Sequence, residues 1–167
     1  MAEFIFKDMV RKAGLEEVRI DSAAVSYEEE GNDIYPPAKR TLLAHGVPFQ
    51  RHRAHRVSDA DASEYDIIVV MDSSNRRLLS HIISPENMTK VHMMMEYAGK
   101  SSDVSDPWYT GDFEATWQEG RTDPSATHNG NYLINFAFSV GNHICDCVAL
   151  RTHSKVTGGI NANADIN

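Results

Sequence analysis

Residues Ser105-Asp106-Pro107-Trp108-Tyr109-Thr110-Gly111-Asp112-Phe113 gather an acid, a rigid proline and two aromatics in one loop. Proline fixes its own φ and pushes the residue before it into an extended conformation, so the Asp106 carboxyl is held out from the backbone. Trp108 and Tyr109 can wall an aromatic slot, and a carboxyl set against such a wall can have a raised pKa. A general acid needs that property if it is to protonate a leaving oxygen near neutral pH. Asp-Pro turns are also common on protein surfaces, and the residue types alone leave that plainer reading open.

The elements that must position this loop follow from hydrophobic periodicity. Residues 2–13 suit a helix with Phe4, Ile5, Met9, Val10 and Ala13 on one apolar face, stopped by Gly14. Val18 to Val25 reads as a strand, followed by an acidic loop over Glu28-Glu29-Glu30-Gly31-Asn32. Pro36-Pro37 opens a second helix that Gly46 closes. The run Ile67-Ile68-Val69-Val70-Met71 has the pattern of a strand buried on both faces. Asp72-Ser73-Ser74-Asn75 supplies N-cap chemistry for a helix running to about Ile83, and Val91 to Met95 is another buried strand. Strand and helix alternate, which predicts a parallel sheet with helices on both faces. Ligands of such sheets bind beyond the carboxyl ends of the strands, and Ser22, Asp72 and Asp106 all fall at or just after those ends.

Composition narrows the partners. With 24% charged and 41% apolar residues the chain of 167 residues is a folded single domain. Its net charge of −8 argues against nucleic acid or an anionic membrane as the main partner. Arg51, Arg53 and Arg56 with His52 and His55 form one basic cluster, by default a solvated loop, yet able to steer an anionic substrate. The two cysteines, Cys145 and Cys147, make no disulfide framework, and no signal peptide or spanning segment is visible, so a cytoplasmic location is expected. The histidines show no metal-ligand spacing, Met93-Met94-Met95 reads as core filler, and neither a metal nor another cofactor is expected.

Five segments carry a resemblance to a known family. They are Met1-Ala2-Glu3-Phe4, Ile20-Asp21-Ser22-Ala23-Ala24, His52-Arg53-Ala54, Met71-Asp72-Ser73-Ser74-Asn75 and Asp106 to Phe113. In this order, from residue 1 to about 117, the chain resembles the low-molecular-weight protein tyrosine phosphatases. The resemblance implies a flavodoxin-like three-layer α/β sandwich with a small, four-stranded parallel sheet. It also implies hydrolysis of phosphotyrosine proteins or small aryl phosphates through a cysteinyl-phosphate intermediate. By position Asp106 is then the general acid, and Ser22 and His52 belong with Asp72 to the support of the phosphate loop. Tyr109, with Trp108 beside it, lies in the wall that grips the phenyl ring. Glu28 stands on the opposite wall, where many relatives place an aromatic.

In this family the first strand and the phosphate loop, V-C-x-G-N-x-C-R-S-P, precede the segment matched by Met1-Ala2-Glu3. The resemblance therefore covers residues 1–117 as a phosphatase-like domain that lacks its nucleophile loop. Residues 118–131 read as a linker, 132–152 as a possible extra or permuted strand, and 153–167 as a disordered tail. The apolar run Tyr132 to Val140 is the candidate replacement for the first strand. Cys145 and Arg151 satisfy a C-x5-R spacing that lets a thiolate and a guanidinium converge on one phosphate, although Asp146 would repel the dianion. Three readings stay open: a truncated or disrupted, inactive form; a permuted phosphatase using Cys145 and Arg151; and a non-catalytic relative that binds phosphate or phosphoproteins. Oligomeric state is not legible.

Overall fold

The computed structural model describes residues 1–15, 18–114, 117 and 147–152, with residues 108, 109 and 147–152 described by their backbone. Helix α1 (Ala2–Lys12) buries Phe4, Ile5 and Phe6, carries Glu3 in its first turn and Arg11 and Lys12 in its last, as the helix dipole favours. The chain leaves it through Gly14 at φ 70°, a left-handed conformation suited to glycine. Strand β1 (Val18–Ala23) follows, then α2 (Pro36–Ala44), opened by the two prolines, and the short α3 (Asp59–Ser63). Strand β2 (Ile67–Val70) leads into α4 (Ser73–Leu79), then α5 (Pro85–Met88), β3 (Val91–Met93) and a 3₁₀ turn over Met94–Ala98. Helix α6 (Pro107–Thr110) and strand β4 (Cys147–Thr152) complete the described elements.

The sheet order is β1-β4-β2-β3. Strands β2 and β3 are parallel, with Ile68 opposite Val91 and Val70 opposite Met93. Strand β4 is antiparallel to both neighbours, pairing Ala23 with Cys147 on one side and Val70 with Cys147 on the other. Strands β1, β2 and β3 therefore run in one direction, and their carboxyl ends form one rim. The Ile68-Val69-Val70 run is buried on both faces, each residue 0–1% exposed, as its unbroken apolar sequence requires. Phe6, Ile20, Val69, Met71 and Met94 pack on the α1 face, whereas Ala62, Ile68, Val70 and Leu79 pack beneath α3 and α4. Phe4, Ile5, Leu42, Phe113 and Trp117 join α1 to α2. This is the expected three-layer α/β sandwich.

Several details differ from the sequence-based expectations. The slot between β1 and β2 is filled by 147–152 and not by 132–140, a run that lies outside the described residues. The occupant is also antiparallel, which makes the sheet mixed. Both flanking strands offer backbone N–H and C=O groups that either orientation can pair, and a segment entering from the carboxyl rim must run against them. The helix expected to reach Ile83 ends at Leu79, because Ser84 caps a new helix at Pro85 by accepting the Asn87 N–H. The third strand stops at Met93, where the Glu96 carboxylate accepts the Met93 N–H at 3.2 Å and turns Met94 and Met95 into a 3₁₀ helix.

Candidate functional site at the carboxyl rim

Ser22 lies near the end of β1, 4% exposed, and its hydroxyl donates to Glu3 Oε2 at 2.5 Å. Glu3, itself 6% exposed, enters from the first turn of α1. Its other oxygen accepts Lys7 Nζ at 2.5 Å, and His52 Nδ1 stands 3.5 Å from Oε2. The His52 ring meets Phe4 edge-on, and its backbone N–H donates to Asp33 Oδ1 at 2.9 Å. Burial pulls the imidazole below its ordinary pKa, while the Glu3 carboxylate pulls the other way. Ser22 and His52, both predicted from the sequence, thus meet on one buried carboxylate. Glu3 itself was missed. Its signal was a charge placed between Ala2 and Phe4 on a helix face that otherwise reads as apolar.

Glu3, Ser22 and His52 of this cluster line a cavity of about 240 Å³, together with Arg53, Arg19 and Tyr65. In the same lining Asp21 accepts the Tyr65 hydroxyl at 2.5 Å and Arg19 Nε at 2.7 Å. Burial raises the Asp21 pKa, but the Tyr65 hydroxyl and the Arg19 charge outweigh it and hold the carboxyl below its ordinary range. Burial foremost, then the hydrogen bond to Asp21 and its charge, raise the Tyr65 phenol, against the opposing pull of the Arg19 charge.

Asp106 sits apart from this cavity, on a loop pinned to the same rim. The Val104 N–H donates to the Met71 carbonyl at 3.0 Å, just past the end of β2. The Asp103 carboxylate accepts both the backbone N–H and the hydroxyl of Ser73, at 3.0 and 2.9 Å. Pro107 is fully buried and opens α6, and the Gly111 N–H returns to its carbonyl at 2.8 Å. Asp106 is therefore anchored on both sides, partly exposed, with Trp108 and Tyr109 following it in α6. Asp103 is a second residue that pattern reading missed, since its role depends on a contact with a helix 30 positions away.

Asp72 also reaches the rim, as the N-cap of α4, accepting the Asn75 N–H at 2.6 Å. Glu28 is exposed in the turn after β1. The aromatic in that turn is its neighbour Tyr27, 68% exposed, with the Arg56 guanidinium 4.7 Å above its ring and donating to its hydroxyl at 3.2 Å. Cys145 lies outside the described residues. Arg151 falls in β4 opposite Arg19, one place beyond the pairing of Leu150 with Ile67, and so lies toward the edge away from the rim. Among the described residues no three His, Cys, Asp or Glu side chains gather as a metal site, and no helix is long and apolar enough to cross a membrane.

A family model described as low molecular weight phosphotyrosine protein phosphatase matches residues 1–123. The low molecular weight protein-tyrosine-phosphatase YfkJ of Bacillus subtilis is 34% identical over 121 residues, covering 71% of this chain and 78% of its own. The Schizosaccharomyces pombe low molecular weight phosphotyrosine protein phosphatase is 36% identical over 115 residues, covering 66% and 73%. The crystal structure of YfkJ superposes with a TM-score of 0.66 at 33% identity, covering 71% of this chain and 76% of that one.

Proposed function

The chain belongs to the low molecular weight phosphotyrosine protein phosphatase family, and from that premise we propose that it engages phosphotyrosine proteins or small aryl phosphates at the carboxyl rim without completing their hydrolysis. Asp106 holds the proton donor's place: in a complete site a carboxyl there gives the aryl oxygen a proton as its bond to phosphorus breaks, so that phenol leaves instead of phenolate. Trp108 and Tyr109 flank the ring, and Ser22, His52 and Asp72 brace the rim. The setting we infer is cytoplasmic.

Attack on phosphorus needs a thiolate and a guanidinium that converge on one phosphate. The single observation that carries the reading is the extended pairing of residues 147–152 with β1 and β2. At a rise of about 3.3 Å per residue, Arg151 stands roughly 13 Å along the strand from Cys147, toward the opposite edge of the sheet. A C-x5-R loop around Cys145 cannot close while that strand is formed.

The test is hydrolysis of para-nitrophenyl phosphate by the chain as written, beside Cys145→Ser/Cys147→Ser and Asp106→Asn variants. All three should run at the same background rate. Turnover abolished by Cys145→Ser and by Arg151→Ala, and lowered about 10²–10⁴-fold by Asp106→Asn, would overturn the reading and establish a permuted phosphatase.

A further inference from the structure

The basic segment beside the rim has a geometry that its sequence does not reveal. Residues 51–57 are extended and tied down at successive points. The Ala54 N–H donates to the Asn32 carbonyl at 2.9 Å, and the Gly31 N–H to the Ala54 carbonyl at 2.7 Å. The Ala24 N–H donates to the His55 carbonyl at 2.8 Å, and the Val57 N–H to the Ala24 carbonyl at 2.9 Å. With His52 held on Asp33, the backbone of the segment is fixed in place.

Its side chains alternate over 51–55: His52 turns in to Glu3 and Ala54 is 1% exposed, while Arg51, Arg53 and His55 are exposed; the buried Val57, 6% exposed, ends the alternation. Lys7, Arg11, Lys12, Arg19 and Lys39 each hold a carboxylate, but among the described residues Arg51 and Arg53 hold none. Two of the three neighbouring acids of the turn are engaged elsewhere: Glu29 accepts from Asn32, and Glu30 accepts the Arg56 N–H, while Glu28 is exposed. Among the described residues Arg40 and Arg77 hold no carboxylate either, but they stand singly on α2 and α4, whereas Arg51 and Arg53 stand two residues apart on one tied-down backbone, on a chain of net charge −8. Arg53, His55 and His52 also line the cavity that Ser22 lines, so the row adjoins the candidate site.

We propose that Arg51, Arg53 and His55 form a docking strip for acidic side chains that flank the phosphorylated residue of a protein substrate. The proposal rests on the phosphotyrosine reading above and adds the substrate class: phosphotyrosine in an acidic, extended context. Alternate residues of the strip stand about 6.6–7 Å apart, which is also the spacing of alternate side chains on an extended peptide. Carboxylates two residues apart can each meet one cation. Arginine suits the role because its fork takes a carboxylate in two hydrogen bonds.

The experiment measures anisotropy of fluorescein-labelled nine-residue peptides against the full chain at low and moderate salt. Four peptides are compared: phosphotyrosine flanked by Glu, phosphotyrosine flanked by Ala, and the unphosphorylated form of each. Two or three exposed pairs should make the Glu-flanked phosphopeptide bind about tenfold tighter than the Ala-flanked one, with the gain shrinking as salt rises. Arg51→Glu/Arg53→Glu should reduce that ratio to within about twofold of unity; Arg51→Gln/Arg53→Gln, which adds no repulsion, should do most of the same, and circular dichroism should show both folded. A ratio near one for the unaltered chain, or one that survives both variants, overturns the strip. Equal, Arg-dependent binding of a single-stranded oligonucleotide would overturn it too, since the row would then select any polyanion. If Glu-flanked peptides win with or without phosphate and the phosphate adds nothing, the strip stands and the phosphotyrosine reading fails.

Discussion

Replacing Glu3 by Ala tests whether the buried carboxylate organises the rim. The substitution removes the acceptor of the Ser22 hydroxyl, a group 4% exposed, and a buried polar group that loses its partner costs about 1–3 kcal/mol. Lys7 is 36% exposed on its side chain and can rehydrate, so its lost ion pair adds well under 1 kcal/mol. The first-turn acid at the helix N-terminus is lost as well, about 0.3–1 kcal/mol, against a few tenths returned by alanine's better helix propensity. The net expectation is about 2 kcal/mol. In urea unfolding followed by circular dichroism, with a slope near 2 kcal/mol/M, that moves the midpoint down by about 1 M. Glu3→Gln keeps an oxygen for Ser22 and should cost about half as much. The double variant with Ser22→Ala then isolates the pair: Glu3 and Ser22 should be coupled by about 1 kcal/mol or more, because they share one hydrogen bond. A midpoint for Glu3→Ala within about 0.2 M of the parent, or strictly additive single substitutions, would refute the reasoning.

Two further outcomes follow from packing and charge. Leu79 is fully buried while its neighbour Leu78 is 42% exposed, so Leu79→Ala should cost about 2–5 kcal/mol in urea unfolding and Leu78→Ala under about 0.5. Lys39 and the backbone N–H groups of His52 and Ile34 hold the Asp33 carboxyl at a pKa of about 2, below its ordinary 3.8. A depressed carboxylate stabilises the fold above its unfolded value and ceases to as pH falls through the folded one. The stability difference between the parent and Asp33→Asn should therefore be full above about pH 4 and shrink toward pH 2, read from urea midpoints across that window. A difference that does not change with pH would show that the charge on Asp33 contributes nothing.

How far the sequence foretold this depends on how far each signal reaches along the chain. The Ile67 to Met71 run and the Asp72 N-cap are local patterns, and both are present, although the strand ends at Val70 and Ile67 is only partly buried. Helices α3 and α5 are too short to show an apolar period, and their starts rest on Ser58 and Ser84 side chains that resemble any polar loop. Asp-Pro sets a local conformation that the sequence shows, and Pro107 opens α6, whereas the Asp103 clasp on Ser73 that anchors the loop was not legible. The filler of the central slot was misjudged because 132–140 is the more apolar run. A strand flanked on both sides by other strands gains its pairing from backbone groups that composition does not report. The exposed aromatic beside Glu28 was overlooked because the reading looked only at the position where relatives place theirs.

The position of β4 also has a consequence for how the molecule comes into being. Val18 pairs with Thr152, so the interior of the sheet is assembled from segments synthesised far apart in time. A ribosome adding about 5–20 residues per second needs several seconds to travel from β2 to β4. Throughout that interval β1 and β2 have emerged with their facing edges unsatisfied, an invitation to pair with other chains. Contacts so far apart in sequence also form slowly once the chain is free. The nascent protein is thus most exposed to misassociation during the stretch between β2 and β4, and its yield of native molecules depends on what shields those two edges until β4 arrives.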